Sequence, residues 1–180
     1  MISVLFAARN SIYKTIPGLD IWDEDRDALN WSGGNPGIFH PPCRLWSAFL
    51  SQFSKADRSE KDLGIWSVCE VRKHGGILEQ PAFSKLWDAA GVPYPPYQDE
   101  FGFSISIDQF WFNHQCRKRT WLYICALPRS LLPAYPIKLV AEYPVALHGR
   151  GKVPRSDKRQ RSATPVEFAR WLIETAGLIR

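Results

Sequence analysis

The chain has 180 residues, enough for one domain with a hydrophobic core and too few for two of ordinary size. An apolar fraction of 45%, eight Trp and only 23% charged residues exclude a disordered polymer and describe a globular protein. The net charge of +5 is localised, because Arg150, Lys152, Arg155, Lys158, Arg159 and Arg161 face Asp157 alone in one stretch; this is the footprint of a polyanion binder or of a solvated basic loop.

In chain order, Ser3 to Ala8 is a short apolar run that predicts a buried strand. Asn10 to Gly18 reads as a turn or short helix, Leu19 to Trp22 as a second strand, and the Gly- and Pro-containing stretch from Ser32 to Gly37 as a loop leading to the short apolar pair Ile38-Phe39. A helix is expected from about Ser59 to His74, with Ser59 as its cap, Leu63, Trp66 and Cys69 on one face, and Gly75-Gly76 ending it. Ile77-Leu78 then forms a brief strand with Glu79 at its carboxyl end. Gln80 to Leu86 is a turn or helix, and Gly91 to Tyr97 a Pro-aromatic loop. Ile105 to Phe112 and Thr120 to Leu127 are expected strands on either side of Gln115 to Arg119. Five prolines from Pro128 to Pro154 interrupt regular structure, and a last helix runs from Pro165 to about Ala176, with Thr164 and Glu167 completing a capping box. Strands alternating with helices imply an α/β fold with a parallel sheet. The expected division is an α/β core over 1–127, a Pro-rich basic segment over 128–161 and a C-terminal helix over 162–180 packing on the core.

Cys43, Cys69, Cys116 and Cys125 form no CxxC pair, and no leader-like segment opens the sequence; both point to a cytoplasmic protein with reduced thiols. No apolar run approaches the roughly 18 residues that cross a bilayer. His40/Cys43 and His114/Cys116 lack structural zinc spacing, so no metal site is expected.

Three groups have complementary chemistry. Cytosine C5 becomes nucleophilic only after something adds to C6, which calls for a thiolate, an acid at N3 and a positive group at O2. Cys43 supplies a thiol, Glu79 a carboxyl group and Arg119 a cation. Arg44, next to Cys43, is expected to help lower the thiol pKa. The carboxyl ends of strands are where an open α/β sheet builds such a site.

The motifs behind these residues resemble those of the DNA (cytosine-5) methyltransferase family, especially its short phage and bacterial forms. Pro41-Pro42-Cys43 is similar to the family's Pro-Cys motif, and Glu79-Gln80-Pro81 to its Glu-Asn-Val or Glu-Asn-Pro motif. Gln115, Arg117 and Arg119 match Gln-x-Arg-x-Arg. Arg161, Thr164, Pro165, Glu167, Ala169 and Arg170 match the family's Thr-Pro motif, and the order is kept over most of the chain. The resemblance implies a reduced Rossmann-like, methyltransferase-type, mainly parallel sheet with a small Pro-rich basic C-terminal appendage. It also implies a Cys43 adduct at C6 of a flipped cytosine, with Glu79, Arg117 and Arg119 around the base, and S-adenosylmethionine held near Phe6, Ala8, Asp20, Asp23 and Pro41. DNA would be gripped by Arg44, Gln115, Arg150, Lys152, Arg155, Lys158, Arg159 and Arg161.

Two departures stand beside these matches. Leu5 to Asn10 lacks the glycines of the family's cofactor loop, and only Ala126 to Gln160 is available where the family has a DNA-reading domain. Sequence recognition is therefore expected to be low, or supplied by a homodimer mate or partner subunit. The reading is a protein acting on DNA cytosine C5; its rival is a methyltransferase-like DNA-binding protein whose catalysis has lapsed.

Overall fold

The strands of this computed structural model, which describes residues 1–47, 51, 54–139, 145, 157 and 161–180, form one six-stranded sheet. They are β1 (Ile2–Ala7), β2 (Leu19–Asp23), β3 (Gly37–Phe39), β4 (Gly76–Pro81), β5 (Gly102–Asp108) and β6 (Arg119–Cys125), in the spatial order β2-β1-β3-β4-β6-β5. The pairs β1/β2, β1/β3 and β3/β4 are parallel, whereas β6 lies antiparallel between β4 and β5. The sheet is thus mixed, not wholly parallel. The physical reason is the short link over 109–118: a parallel pair needs a crossover of about a dozen residues or more.

Both faces of the central strands are covered, which is why they read as continuous apolar runs and not as alternating ones. Val4, Ile38, Ile77, Leu122 and Ile124 point to one side, where they pack with Phe168, Ala169 and Leu172 of the C-terminal helix α3 (Val166–Gly177). Leu5, Phe39, Leu78, Trp121 and Tyr123 point to the other, towards Val68 and Val71 of α1 (Glu60–His74). A short helix α2 (Leu86–Ala89) completes this second layer through the buried Leu86 and Trp87.

Local details differ from expectation at both long helices. The buried face of α1 is Gly64, Ser67, Val68 and Val71, while Cys69 is exposed. Close approach decides the register: a Cβ on Gly64 would stand 2.5 Å from Trp46 Nε1. Ser59 makes no cap hydrogen bond to the helix, since its hydroxyl donates to Asp57 Oδ1 at 2.9 Å. The capping box at α3 is likewise not formed: Pro165 occupies the N-cap position and the helix has no side-chain cap. Its anchorage comes from packing, with Phe112 against Phe168 at 5.1 Å and Trp171 Nε1 donating to Pro133 O at 3.3 Å. The expected strand to Phe112 ends at Asp108, where the Asp108 carboxylate accepts from Phe110 N and starts a 3-10 turn over Gln109–Phe112. Among the described residues no helix is long and apolar enough to cross a membrane.

Candidate functional site

The strand order reverses direction about β1, with β2 on one side and β3 on the other, and the carboxyl ends of β1 and β3 are the switch point at which open α/β sheets build their sites. The segment 40–46 leaves β3 at that edge, and Glu79 lies near the same end of β4. Because β6 is antiparallel, it enters the sheet there, so that residues 117–120 sit beside the end of β4.

Glu79 is the centre of a buried polar network. Its Oε2 lies 3.1 Å from His40 Nδ1, and its Oε1 accepts from Gln109 Nε2 at 3.2 Å. The other imidazole nitrogen of His40 meets the hydroxyl of the buried Tyr13 at 3.1 Å. Gln109 Nε2 also donates to Thr120 Oγ1 at 3.0 Å, and that hydroxyl in turn donates to Lys118 O at 3.1 Å. Tyr13 comes from the 3-10 turn Ile12–Thr15, His40 from the end of β3, Gln109 from the end of β5 and Thr120 from β6, so four separate segments meet in one network around a carboxyl group that His40 and Gln109 contact directly.

The electrostatics follow from this enclosure. Burial alone would push the Glu79 carboxyl group up, but the hydrogen bond and charge of His40, with the charge of Lys118, hold it below the usual value and therefore ionised. Tyr13 is pushed well up by burial and by the Glu79 charge. Lys118 is pulled down by desolvation, against the opposing charges of Glu79, Cys43 and Cys116. Lys118 Nζ donates to Ala163 O at 3.1 Å, which ties this corner to the segment preceding α3.

Cys43 is exposed as a residue, yet the protein around its thiol and the Glu79 carboxylate raise its pKa, while Lys118 and Arg44 act the other way. The expected activation by Arg44 is therefore outweighed. Arg44 is also engaged elsewhere, its Nε lying 2.9 Å from Glu60 Oε2. The resting thiol is protonated at neutral pH.

Arg119 is not brought to Glu79. Glu79 pairs with Leu122 and shares its face with Thr120, whereas strand alternation puts Arg119 on the opposite face with Trp121 and Tyr123. Its guanidinium lies over the Phe83 ring at 5.3 Å. Lys118, by the same alternation, is the cation on the Glu79 face. Arg117 is exposed, with Nε 3.6 Å from Asp108 Oδ2, and Gln115 is exposed as well. Arg161 is partly buried, and its backbone N–H donates to Asp157 O at 3.1 Å. Arg150, Lys152, Arg155, Lys158 and Arg159 lie outside the described residues.

The residues expected at S-adenosylmethionine are already engaged. Asp20 accepts from Ser3, Trp22 and Arg26, which together keep it ionised despite partial burial. Asp23, at the carboxyl end of β2, accepts from Lys14 Nζ and from the backbone N–H groups of Asp25 and Arg26, with Lys14 as the main cause of its lowered pKa. Phe6 takes a left-handed φ of 61° at a bulge in β1, and its ring packs edge-on against Trp66 at 5.9 Å. Ala8 is exposed, and Pro41 is buried with its carbonyl accepting from Gln80 Nε2 at 2.7 Å. These residues do not fit the donor: the acids have partners and the loop carries side chains where the backbone would have to approach it.

Tyr13, Gln109, Thr120 and Lys118 had no motif to mark them. Alternation read backwards from Ile124, Leu122 and Thr120 would have put Lys118 on the Glu79 face, and a Gln directly after a buried strand is a second usable signal. A shallow hollow of about 310 Å³ lined by residues such as Asp99, Phe101 and Arg129 lies at the other end of β5 and β6 and has no part in this site. Among the described residues no group of three or more His, Cys, Asp or Glu is placed to hold a metal ion. No family model, curated protein or solved structure matches this chain.

Proposed function

We propose that this protein acts on cytosine in DNA, at C5, through a covalent adduct of Cys43 to C6, as a DNA-modifying transferase of the cytosine-5 methyltransferase type. The observation that supports this best is the placement of three groups at the carboxyl edge of the sheet, beside its switch point: Cys43 in the segment that leaves β3, Glu79 near the end of β4, and Lys118 just before β6 on the Glu79 face. A six-stranded sheet with one reversed strand near its edge is compatible with a Rossmann-like, methyltransferase-type core.

In this reading the Cys43 thiol passes its proton to the Glu79 carboxylate as its sulfur bonds to C6, and the electron pair released from the C5–C6 double bond passes into the ring towards N3 and O2. Glu79 hands that proton on to N3, His40 positions the carboxyl group through its 3.1 Å contact, and Lys118 takes the part at O2 that the motif suggested for Arg119. The raised thiol pKa fits this order of events. Once Glu79 carries a proton it no longer opposes the thiolate, and Lys118 then favours it, so base binding itself activates Cys43. DNA is held by the basic residues, with sequence recognition supplied by a homodimer mate or partner subunit.

A second reading, a DNA-binding protein whose catalysis has lapsed, is favoured by the engaged Asp20 and Asp23 and the filled loop after β1. The two separate by nucleoside mass spectrometry of DNA from a host without cytosine-5 methylation, expressing the protein or its Cys43→Ala form. A modified deoxycytidine with the unsubstituted protein alone supports the enzyme, and its mass names the group transferred. Unmodified DNA in both, with DNA binding retained, supports the binding protein.

A further inference from the structure

On the α1 side of the sheet, next to the candidate site, stands a cluster of aromatic rings that no step above uses. Phe83 lies just beyond β4 and is 52% exposed; Tyr94 is 42% exposed. Both lean on Trp121 of β6, with ring centroids at 5.1 Å and 5.5 Å. Trp87 backs Trp121 from the core at 5.7 Å. Phe83 has φ of 66°, a left-handed conformation that aromatic residues rarely take, and it is fixed by Ala82 N donating to Arg119 O at 3.0 Å and Ser84 N donating to Pro81 O at 3.2 Å. The backbone thus holds a large ring that stays half exposed.

Arg119 completes the cluster. It is exposed, it lies over the Phe83 ring at 5.3 Å, and among the described residues it makes no ion pair. A ring face backed by the core, with a guanidinium beside it that makes no ion pair among the described residues, has the chemistry of a base-stacking platform with a phosphate contact. Its position agrees with this role. Lys85 N donates to Trp46 O at 2.9 Å, so the shelf adjoins the Cys43–Trp46 turn, while Glu79 lies on the opposite face of the same sheet edge.

We propose that Phe83, Tyr94, Trp121 and Arg119 form a shelf that stacks an unpaired DNA base next to the one presented to Cys43 and Glu79, with Arg119 at the adjoining phosphate. The inference rests on DNA as the partner and extends that reading: the strand crosses the carboxyl edge of the sheet, the target base goes to one face, and its neighbour rests on the other. It also gives Arg119 a role that does not require it to reach the target base.

The test is fluorescence anisotropy with a labelled 12-nucleotide oligo-dC and with an abasic oligonucleotide of the same length, using the full chain. Phe83→Ala is expected to weaken oligo-dC binding by about 5- to 150-fold and to leave abasic binding unchanged, as loss of one stacked base requires. Phe83→Leu, which keeps apolar area without a π face, should fall between. Arg119→Ala should make the salt dependence shallower by roughly 0.7 in the logarithmic slope, the effect of one lost single-strand phosphate contact. Wild-type affinity in Phe83→Ala, an equal loss on the abasic strand, or no single-strand binding by the unsubstituted protein would each overturn the shelf. A Phe83-dependent loss without any DNA product would keep the shelf and reject the C5 chemistry; a product without Phe83 dependence would do the reverse.

Discussion

Replacing His40 with Ala takes away a hydrogen-bond partner of a carboxylate that the fold keeps ionised. His40 and Glu79 are 3.1 Å apart, each side chain only 15% exposed, so little water is available to replace the lost donor. A hydrogen bond to a charged group contributes about 1.5–3 kcal/mol, and losing the Tyr13 contact adds about 1 kcal/mol, which gives an expected loss of roughly 2–4 kcal/mol at pH 7. With a urea m-value of about 2 kcal/mol/M, the unfolding midpoint should fall by ~1–2 M. Glu79→Gln in the same background removes the stranded charge, so the double mutant should be less damaged than the sum of the single ones, by about 1–2 kcal/mol. The pH dependence has a definite sign. Glu79 has a depressed pKa in the folded state, so its contribution is present above the ordinary glutamate value of about 4.3 and is lost as pH falls through the folded-state value. The gap between the unsubstituted protein and His40→Ala should therefore narrow between pH 7 and pH 3. A coupling below about 0.5 kcal/mol, or a gap of equal size at both pH values, would refute the argument that His40 holds the buried Glu79 carboxylate ionised.

Three further outcomes follow from the same geometry. In a Cys69→Ser background, which removes the other exposed thiol, Glu79→Gln should speed alkylation of Cys43 by iodoacetamide at pH 7.5 and Lys118→Met should slow it, because the first charge opposes the thiolate and the second favours it; timed mass spectrometry reads both rates. Gly76→Ala should leave little folded protein by circular dichroism, since the new Cβ would stand 2.1 Å from Gly37 O across the β3/β4 pair, at a φ of 134°. Thr164→Ala should shift stability by less than about 0.5 kcal/mol in urea denaturation, where a working N-cap would cost about 1 kcal/mol, because α3 has no side-chain cap.

Much of the fold was legible in the sequence because it depends on local composition. The runs Ser3 to Ala8 and Ile77-Leu78 are apolar on both faces, which requires a covered sheet, and the Gly75-Gly76 pair stops α1 where the chain must turn into β4. Local signals misled where tertiary partners compete for the same groups. Ser59 could cap a helix but bonds to Asp57, and Thr164 satisfies a capping pattern while aromatic packing anchors α3 without it.

The site divides in the same way. Sequence by itself determined that a thiol, a carboxyl group and a basic stretch follow one another along the chain, because residue types and their order are properties of the chain. Only the tertiary structure decided which of them face each other. Strand alternation turns Arg119 away from Glu79 and Lys118 towards it, and distant segments bring His40 and Gln109 onto one carboxylate, with Tyr13 behind His40. A one-residue difference in strand position reverses the face, and a hydrogen bond across 27 or 39 residues leaves no trace in spacing.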